Sequence, residues 1–177
     1  FNDLIFTGSF EEFGYWKEDD YGSLEYTSLS ELIKSEISPN EEIWQILSYN
    51  DKVVFRSFSS IYVYDFQTVE RIHPSSAVIS LSLVDDDLFV STLNNGIYKL
   101  ENKNLIPFFS DAALRDTKII SIVKQENSYL IMTSLKGSFH LSSNRLRPTQ
   151  YSFNDDIQQH QLNKFSMLEN GDMVFGT

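Results

Sequence analysis

Short apolar segments recur along the chain, and a few polar residues separate each one from the next. One copy of the pattern has its apolar segments at 42–47, 53–57 and 61–64, the next at 78–83, 88–92 and 96–100, and a third at 119–123, 130–134 and 137–141. The middle segment of each copy is apolar on both faces, as expected for a strand that is buried on both sides. The pattern therefore predicts groups of strands.

A fourth, weaker segment completes each copy. It lies at 24–27, 69–72, 105–108 and 146–149, and two of these segments contain a proline, Pro107 and Pro148. Because proline cannot donate a hydrogen bond to a neighbouring strand, it is confined to the edges of sheets. The fourth strand of each group is therefore predicted to be the outermost.

An aromatic residue in the third segment sets the length of the repeat. Tyr15, Tyr62, Tyr98 and Phe139 occupy this position, so by subtraction the copies are 47, 36 and 41 residues apart. Blades of β-propellers are typically ~40–50 residues long. We predict an all-β protein, a β-propeller fragment of about four four-stranded blades in a single domain. The copies are assigned to residues 1–28, 41–73, 77–109, 117–151 and 160–177.

One segment departs from the strand pattern. Residues 29–38 carry Leu29, Leu32 and Ile33 at helical spacing, and Ser30 is a candidate N-cap. We predict one short helix here, inserted between two blades.

Both ends of the chain have strand-like patterns. We therefore expect the chain to be part of a longer repeat array, in which the strands at 3–8 and 173–177 pair with additional sequence. A strand edge without a partner promotes association between copies. Self-association is accordingly expected for this segment alone.

Charge and cysteine content exclude several classes of function. The chain has 25 acidic and 14 basic residues, a net charge of -11, so it lacks the clustered cations that bind nucleic-acid phosphates or anionic lipids. It contains no cysteine, which excludes disulfides, thiolate zinc sites and cysteine nucleophiles. No apolar run is long enough to span a bilayer. We predict no direct binding to nucleic acid.

The ends of the second strands, together with the segments that follow them, carry a recognisable motif. Gly176-Thr177 ends the last copy, and the corresponding pairs are Gly8-Ser9, Ser57-Phe58, Ser91-Thr92 and Thr133-Ser134; Gly96 and Gly137 follow the turn in two copies. This pattern resembles the two-component regulator propeller repeat, found in the sensor parts of hybrid histidine kinases and related transcriptional regulators of Bacteroides-type bacteria. The resemblance implies a periplasmic ligand-sensing module that contacts a membrane only through other parts of the full-length protein.

Residues with catalytic or metal-binding chemistry are present but scattered. The three histidines, His73, His140 and His160, lie in different copies, and no HxH or HExxH spacing occurs. The acidic run 85–87 coincides with the turn between the first and second strands, where Asp and Asn are favoured for backbone reasons. No GxSxG motif is present. We predict no metal site, no cofactor and no enzymatic activity.

An excess of aromatic residues suggests a binding surface. Several lie near the second-to-third strand loops, which in propellers surround the mouth of the central channel, and aromatic faces beside acids and amides suit sugar rings or small apolar ligands. The predicted ligand-binding residues are Phe10, Glu11, Glu12, Phe13, Trp16, Phe58, Asn94, Asn95 and Lys136. An oligosaccharide or another nutrient is the expected ligand.

Two other functions are compatible with a propeller. A protein-interaction scaffold of the WD40 or kelch kind is the main alternative, although the WD, GH and double-glycine signatures are absent. A propeller glycosidase requires two carboxylates at the channel. The first strands instead carry Trp44, Gln45, Ser80, Ser82, Ser121 and Lys124, which favours binding over hydrolysis.

Overall fold

The computed structural model describes all residues from Phe1 to Thr177. The strands are β1 (Leu4–Gly8), β2 (Phe13–Glu18), β3 (Leu24–Ser28), β4 (Gln45–Tyr49), β5 (Lys52–Arg56), β6 (Ile61–Tyr64), β7 (Val69–Ile72), β8 (Val78–Val84), β9 (Asp87–Thr92), β10 (Gly96–Glu101), β11 (Asn104–Phe109), β12 (Ile119–Gln125), β13 (Ser128–Thr133), β14 (Ser138–Ser142), β15 (Arg145–Pro148), β16 (Lys164–Met167) and β17 (Met173–Gly176). One α-helix, α1, spans Phe153–His160, and short 3-10 helices span Ser30–Ile33 and Ala112–Leu114. None of the helices is long and apolar enough to cross a membrane.

The strands form five antiparallel sheets in which every strand pairs with its neighbour in sequence. We call these sheets blade 1 (β1–β3), blade 2 (β4–β7), blade 3 (β8–β11), blade 4 (β12–β15) and blade 5 (β16–β17). Blades 2, 3 and 4 have four strands each, and in all three the last strand is outermost, as predicted. The chain divides into two compact units, Phe1–Val78 and Ile79–Thr177.

The two ends of each sheet differ in the length of their connections. The turns between first and second strands are short, as at residues 50–51, 85–86 and 126–127, and so are those between third and fourth strands at 102–103 and 143–144. Positive φ angles at Asn50, Asp85, Asn102 and Asn144 explain why Asn and Asp occur there. We call this end of a blade the turn end. This observation confirms that the acidic run 85–87 begins in a hairpin turn.

The opposite end of each blade carries the longer segments, and we call it the loop end. Because consecutive strands are antiparallel, the second-to-third strand loop lies at the same end as the segment leading to the next blade. All three helices lie in such blade-to-blade segments. The insertions into the repeat are therefore confined to the loop ends.

Aromatic side chains fill the core of the first unit. The ring of Phe13 lies 4.7 Å from that of Phe55 and 4.9 Å from that of Tyr62, measured between centroids. All three side chains are buried, and Leu29 and Ile33 from the blade-to-blade segment pack in the same cluster. The helical segment thus closes the core between blades 1 and 2.

The second unit has two cores, one on each side of blade 4. Ile131 and Phe139 pack with Phe89 and Ile97 of blade 3. On the other side, the buried residues Leu130 and Met132 of blade 4 and Phe165 of blade 5 pack together with Ile157 and Leu162. The alternation along β13 therefore sends successive side chains into two different cores.

Hydroxyl groups close the loop that follows each complete second strand. Thr92 Oγ1 donates to the carbonyl of Gly96 at 2.9 Å, and Thr133 Oγ1 donates to that of Gly137 at 2.6 Å. Ser57 Oγ closes the equivalent loop of blade 2 by accepting from the amide of Ser60 at 2.9 Å. Thr92 is thus the equivalent of Thr133, and the alignment of Ser91-Thr92 with Thr133-Ser134 is wrong by one residue.

Two serines of the first strand of blade 3 lie between strands instead of lining an open channel. Ser80 Oγ donates to Ile119 O at 2.8 Å, and Ser82 Oγ accepts from the amide of Ile122 at 3.0 Å. Both serines are buried. Their hydroxyls bridge the first strands of blades 3 and 4.

The helical segments differ in detail from the sequence prediction. The predicted helix at 29–38 is present as the shorter 3-10 helix Ser30–Ile33, and its N-cap is Leu29, without a side-chain hydrogen bond. Ser30 lies inside the helix and donates to Glu12 Oε2 instead of capping the helix. The helix α1 was not predicted, because only Ile157 among its residues is buried.

The burial of β13 predicts that truncating two leucines of blade 4 will change the free energy of unfolding by very different amounts. Leu130 is 0% exposed, and truncation to alanine should lower the free energy of unfolding by about 2–5 kcal/mol because a cavity remains. Leu135 is 51% exposed in the next loop, and the same truncation there should change it by less than about 0.5 kcal/mol. Urea unfolding of both variants measures the difference, and equal losses would contradict the assigned faces of β13.

Candidate functional site

Most of the predicted ligand-binding residues lie at the loop ends of the blades. In blade 1, β1 corresponds to the second strand of the other blades, because its pair Phe6–Tyr15 matches Phe55–Tyr62, so the β1–β2 connection lies at the loop end. Phe10, Glu11 and Glu12 precede β2, Phe58 follows β5, Asn94 and Asn95 precede β10, and Lys136 precedes β14. Phe10 and Phe58 are 57% and 47% exposed, so their rings are accessible. In the first unit these residues belong to blades 1 and 2, and in the second unit they belong to blades 3 and 4.

Two of the predicted aromatic residues lie within blade 1 instead of in its loop. Phe13 is 1% exposed and packs between Phe55 and Tyr62, so it belongs to the core and cannot contact a ligand. Trp16 is in the middle of β2, half-buried, with its ring 4.9 Å from that of Tyr26. The predicted cluster around the loop is therefore reduced to Phe10 among its aromatic members.

The two predicted acids of blade 1 have structural partners. Glu12 accepts hydrogen bonds from Tyr26 Oη at 2.7 Å and Ser30 Oγ at 2.6 Å. Burial raises the pKa of Glu12, but these bonds and the charge of Lys34 outweigh burial and hold it below its ordinary value. Glu11 Oε1 accepts from the amide of Asn40. Both carboxylates thus connect the loop of blade 1 to the segment that follows β3.

Sequence analysis missed Glu41, a buried carboxylate at the loop end of blade 2. It is 5% exposed and accepts from the hydroxyls of Ser57, Ser59 and Tyr62 and from the amide of Ser38. Burial raises the pKa of Glu41, and the four hydrogen bonds more than offset it, so the pKa lies below its ordinary value. Nothing in the local sequence distinguishes Glu41 from the exposed Glu42 beside it.

An exposed aromatic pair lies at the same end of blade 2. The rings of Trp44 and Phe58 are 5.4 Å apart and inclined at 50°, and Trp44 is 50% exposed. The guanidinium carbon of Arg56 lies 5.6 Å from the centre of the Phe58 ring. Burial lowers the pKa of Arg56 to about 10. We refer to Trp44, Phe58 and Arg56 as the aromatic–arginine cluster.

A cavity of about 390 Å³ opens at the loop end of blade 3. Asn94, Asn95 and Gly96 line one side, and Ser110, Asp111 and Arg115 of the following segment line the other; Tyr98, Ala112 and Leu114 complete the wall. Asp111 Oδ1 accepts from the amide of Ala113, which orders the short helix. The structure thus brings Asn94 and Asn95 together with Tyr98, Ser110 and Arg115, which the sequence did not indicate.

Lys136 orders the same blade-to-blade segment from the neighbouring blade. Its Nζ atom donates to the carbonyls of Ala113 at 3.1 Å and Arg115 at 2.7 Å. An ammonium group at the end of a short helix satisfies carbonyls that have no partner within the helix. Lys136 therefore supports the cavity wall and is not among the residues that line it.

The remaining candidates for chemistry do not converge. His140 Nε2 lies 2.9 Å from Gln125 Oε1, and His73 Nδ1 lies 3.4 Å from Arg71 Nη2. No group of three or more His, Asp or Glu side chains is arranged to hold a metal ion. Asp85 and Asp87 pair with Lys124 and Lys99 respectively.

Comparison with known proteins identifies the architecture. No family model and no curated protein sequence matches the chain. Among solved structures, the WD40 β-propeller domain of Doa1 matches with a TM-score of 0.64 and 15% identity, over 100% of this chain and 58% of that one. The WD40 domain of Neurospora crassa Pan2 matches with a TM-score of 0.60 and 13% identity, over 99% of this chain and 57% of that one.

The extracellular domain of a bacterial two component system is also among the similar structures. The extracellular domain of the hybrid two component system BT4673 from B. thetaiotaomicron matches with a TM-score of 0.66 and 15% identity, over 99% of this chain and 24% of that one. The chain thus spans about a quarter of that domain and little more than half of the WD40 domains. At these identities the likeness shows the fold, and it confirms the prediction that these blades belong to a β-propeller.

The hydrogen bonds of Glu41 predict an acid-dependent contribution to stability. Replacement by Gln puts an amide NH₂ group among four donors, and should lower the free energy of unfolding by about 1–3 kcal/mol. Because the folded pKa is lowered, this contribution is present above the ordinary value of 4.5 and is lost as the pH falls through the folded pKa. Unfolding free energies measured from pH 7 downwards should therefore decrease more steeply below pH 4.5 in the wild type than in Glu41→Gln.

Glu42→Gln makes the same chemical change at the exposed neighbouring residue. Its free energy of unfolding should equal that of the wild type at neutral pH and should decrease just as steeply below pH 4.5. If Glu42→Gln and Glu41→Gln behaved alike, the hydrogen-bonded carboxylate would have no part in the stability of blade 2.

Proposed function

We propose that this chain is a ligand-binding segment of a bacterial signal-transduction sensor, acting in the periplasm and recognising an oligosaccharide or similar nutrient. The observation that carries the proposal is the polar cavity at the loop end of blade 3. Two further points support it: the repeat resembles that of two-component regulator propellers, and a structure with the same fold is the extracellular domain of a hybrid two component system.

The lining of the cavity suits hydroxyl-rich ligands. Asn94 and Asn95 offer amide donors and acceptors, and Tyr98 adds an aromatic ring with a hydroxyl group. Arg115 lines the cavity as well. A volume of about 390 Å³ lies within the range of ~300–1,000 Å³ found for small-molecule sites. One or two sugar residues fit this space.

The same lining favours binding over hydrolysis. Asp111 is the only carboxylate in the cavity wall, and it caps the short helix. Hydrolysis of a glycosidic bond generally needs two carboxylates on opposite sides of the bond. We therefore propose that the bound sugar is released unchanged.

Ligand binding predicts a rise in melting temperature. In a thermal-shift screen with oligosaccharide fragments, a ligand that binds only the folded state should raise the Tm, and the rise should grow with the logarithm of the ligand concentration once that concentration exceeds Kd. Asn94→Ala and Asn95→Ala should abolish the rise by removing hydrogen-bonding groups from the cavity. Asn127→Ala changes an asparagine in the β12–β13 turn, at the turn end of blade 4 and away from the cavity. It is the matched control and should keep the rise in Tm.

A protein-interaction scaffold is the second candidate. The exposed Trp44 and Phe58 rings favour it, because aromatic residues are enriched at protein interfaces. A folded protein that shows no Tm shift with any fragment would contradict the ligand-binding proposal and favour a protein partner.

We also propose self-association through strand edges. β1 pairs only with β2, and β17 pairs only with β16, so each has one edge without a partner strand. Such edges add further strands readily. Ile5 of β1 is 56% exposed and adds an apolar side chain to this edge.

The edge proposal predicts concentration-dependent sedimentation. The sedimentation coefficient should rise with protein concentration, and Ile5→Lys should shift the rise to higher concentration, because charged residues block edge pairing. Leu32→Lys, which changes a 60% exposed residue outside the sheet edge, should leave it unchanged. A protein that stays monomeric at high concentration would overturn the proposal.

A further inference from the structure

Arg56 is a buried cation without an acidic partner. The side chain is 6% exposed, and its only hydrogen bond runs from Nη1 to the carbonyl of Val78 at 3.0 Å. Nε is buried and has no hydrogen-bond partner at all. Buried charges in proteins are normally paired, because desolvation of an unpaired charge costs several kcal/mol. The guanidinium group therefore retains capacity for an anion.

The surface above this cation is aromatic and open. The Phe58 ring lies over the guanidinium, and Trp44 lies beside Phe58. The backbone holds both in place, since Trp44 N donates to Arg56 O at 2.8 Å and Val78 N donates to Phe58 O at 2.8 Å. Two exposed rings fixed in this way form a platform on which a pyranose ring can pack its C–H groups.

We propose that the aromatic–arginine cluster binds an acidic sugar, with the sugar ring against Trp44 and Phe58 and its carboxylate at Arg56. A guanidinium donates charge-assisted hydrogen bonds to a carboxylate and is more weakly hydrated than an ammonium. Because Nε is buried and Nη1 donates to Val78 O, the carboxylate binds at Nη2. The platform supplies ring contacts, and the cation selects the carboxylate. A neutral sugar leaves the cation unpaired and binds more weakly.

This site is distinct from the cavity of blade 3 and shares no residue with it. The proposal therefore does not depend on that cavity. Variants at Asn94 and Asn95 should leave binding at the cluster unchanged, and variants at Trp44, Phe58 or Arg56 should leave binding in the cavity unchanged. A failure of the cavity proposal is therefore distinguishable from a failure of the cluster proposal, because each depends on its own set of variants.

Tryptophan fluorescence provides a direct test. The chain contains two tryptophans, so Trp16→Phe leaves Trp44 as the only tryptophan reporter. In this background, titration with glucuronate should change the Trp44 emission in a saturable way. Glucose, which has the same ring without the carboxylate, and acetate, which has the carboxylate without the ring, should each bind at least about tenfold more weakly.

Two variants assign the response to the cluster. Arg56→Gln removes the charge and should weaken glucuronate binding by about tenfold or more, until it equals the binding of glucose. Phe58→Ala removes one face of the platform and keeps the charge. Phe1→Ala is its matched control, a phenylalanine with the same 47% exposure that lies outside the cluster, and it should leave the affinity unchanged.

The outcomes separate clearly. Saturable glucuronate binding that is lost in Phe58→Ala and kept in Phe1→Ala supports the proposal even if Arg56→Gln fails to fold. Equal affinities for glucuronate and glucose would overturn the role of Arg56. A response to acetate as strong as that to glucuronate would indicate an adventitious ion only, and an unchanged Trp44 signal with all three probes would rule out the site.

Discussion

The structure depends on central strands that are apolar on both faces. In β13 the side chain of Ile131 enters a core shared with blade 3, and those of Leu130 and Met132 enter a core shared with blade 5. A single four-stranded sheet cannot cover both faces, so each blade needs a neighbour on either side. Because the same requirement applies to every blade, the chain repeats the same strand pattern, and the free parts of a blade are the two ends of its sheet.

The turn end and the loop end of a blade differ in how much surface their connections provide. At the turn end, short hairpins with Asn and Asp at positive φ leave little surface, and their geometry follows from the twist of the strands they join. At the loop end, the connections include α1 and both 3-10 helices, and polar side chains such as Glu41 and Lys136 hold them against the sheets. Rigid sheets with ordered insertions at one end provide a scaffold on which binding residues can vary without loss of the core.

The strands and turns could be predicted from sequence because they depend on local patterns. The third-strand aromatics Tyr15, Tyr62 and Phe139 pair with Phe6, Phe55 and Ile131, so the repeat register is visible in the sequence. The candidate site was less accessible to prediction. Phe10 and Phe13 look alike in sequence, but Phe13 is buried only because Phe55 and Tyr62 of the next blade pack against it. The walls of the blade 3 cavity likewise come from two segments separated by β10 and β11, so Arg115 could not be linked to Asn94.

Blade 2 contains two buried charges, and the contrast between them indicates where it can bind an anion. Glu41 receives four hydrogen bonds from its own chain, so its desolvation is compensated within the folded protein. Arg56, the last residue of β5, has no comparable compensation, since one carbonyl is its only acceptor. Glu41 accepts hydrogen bonds from Ser57, Ser59 and Tyr62, and none from Arg56. The charge of Arg56 is therefore available to a carboxylate that binds beside the exposed ring of Phe58.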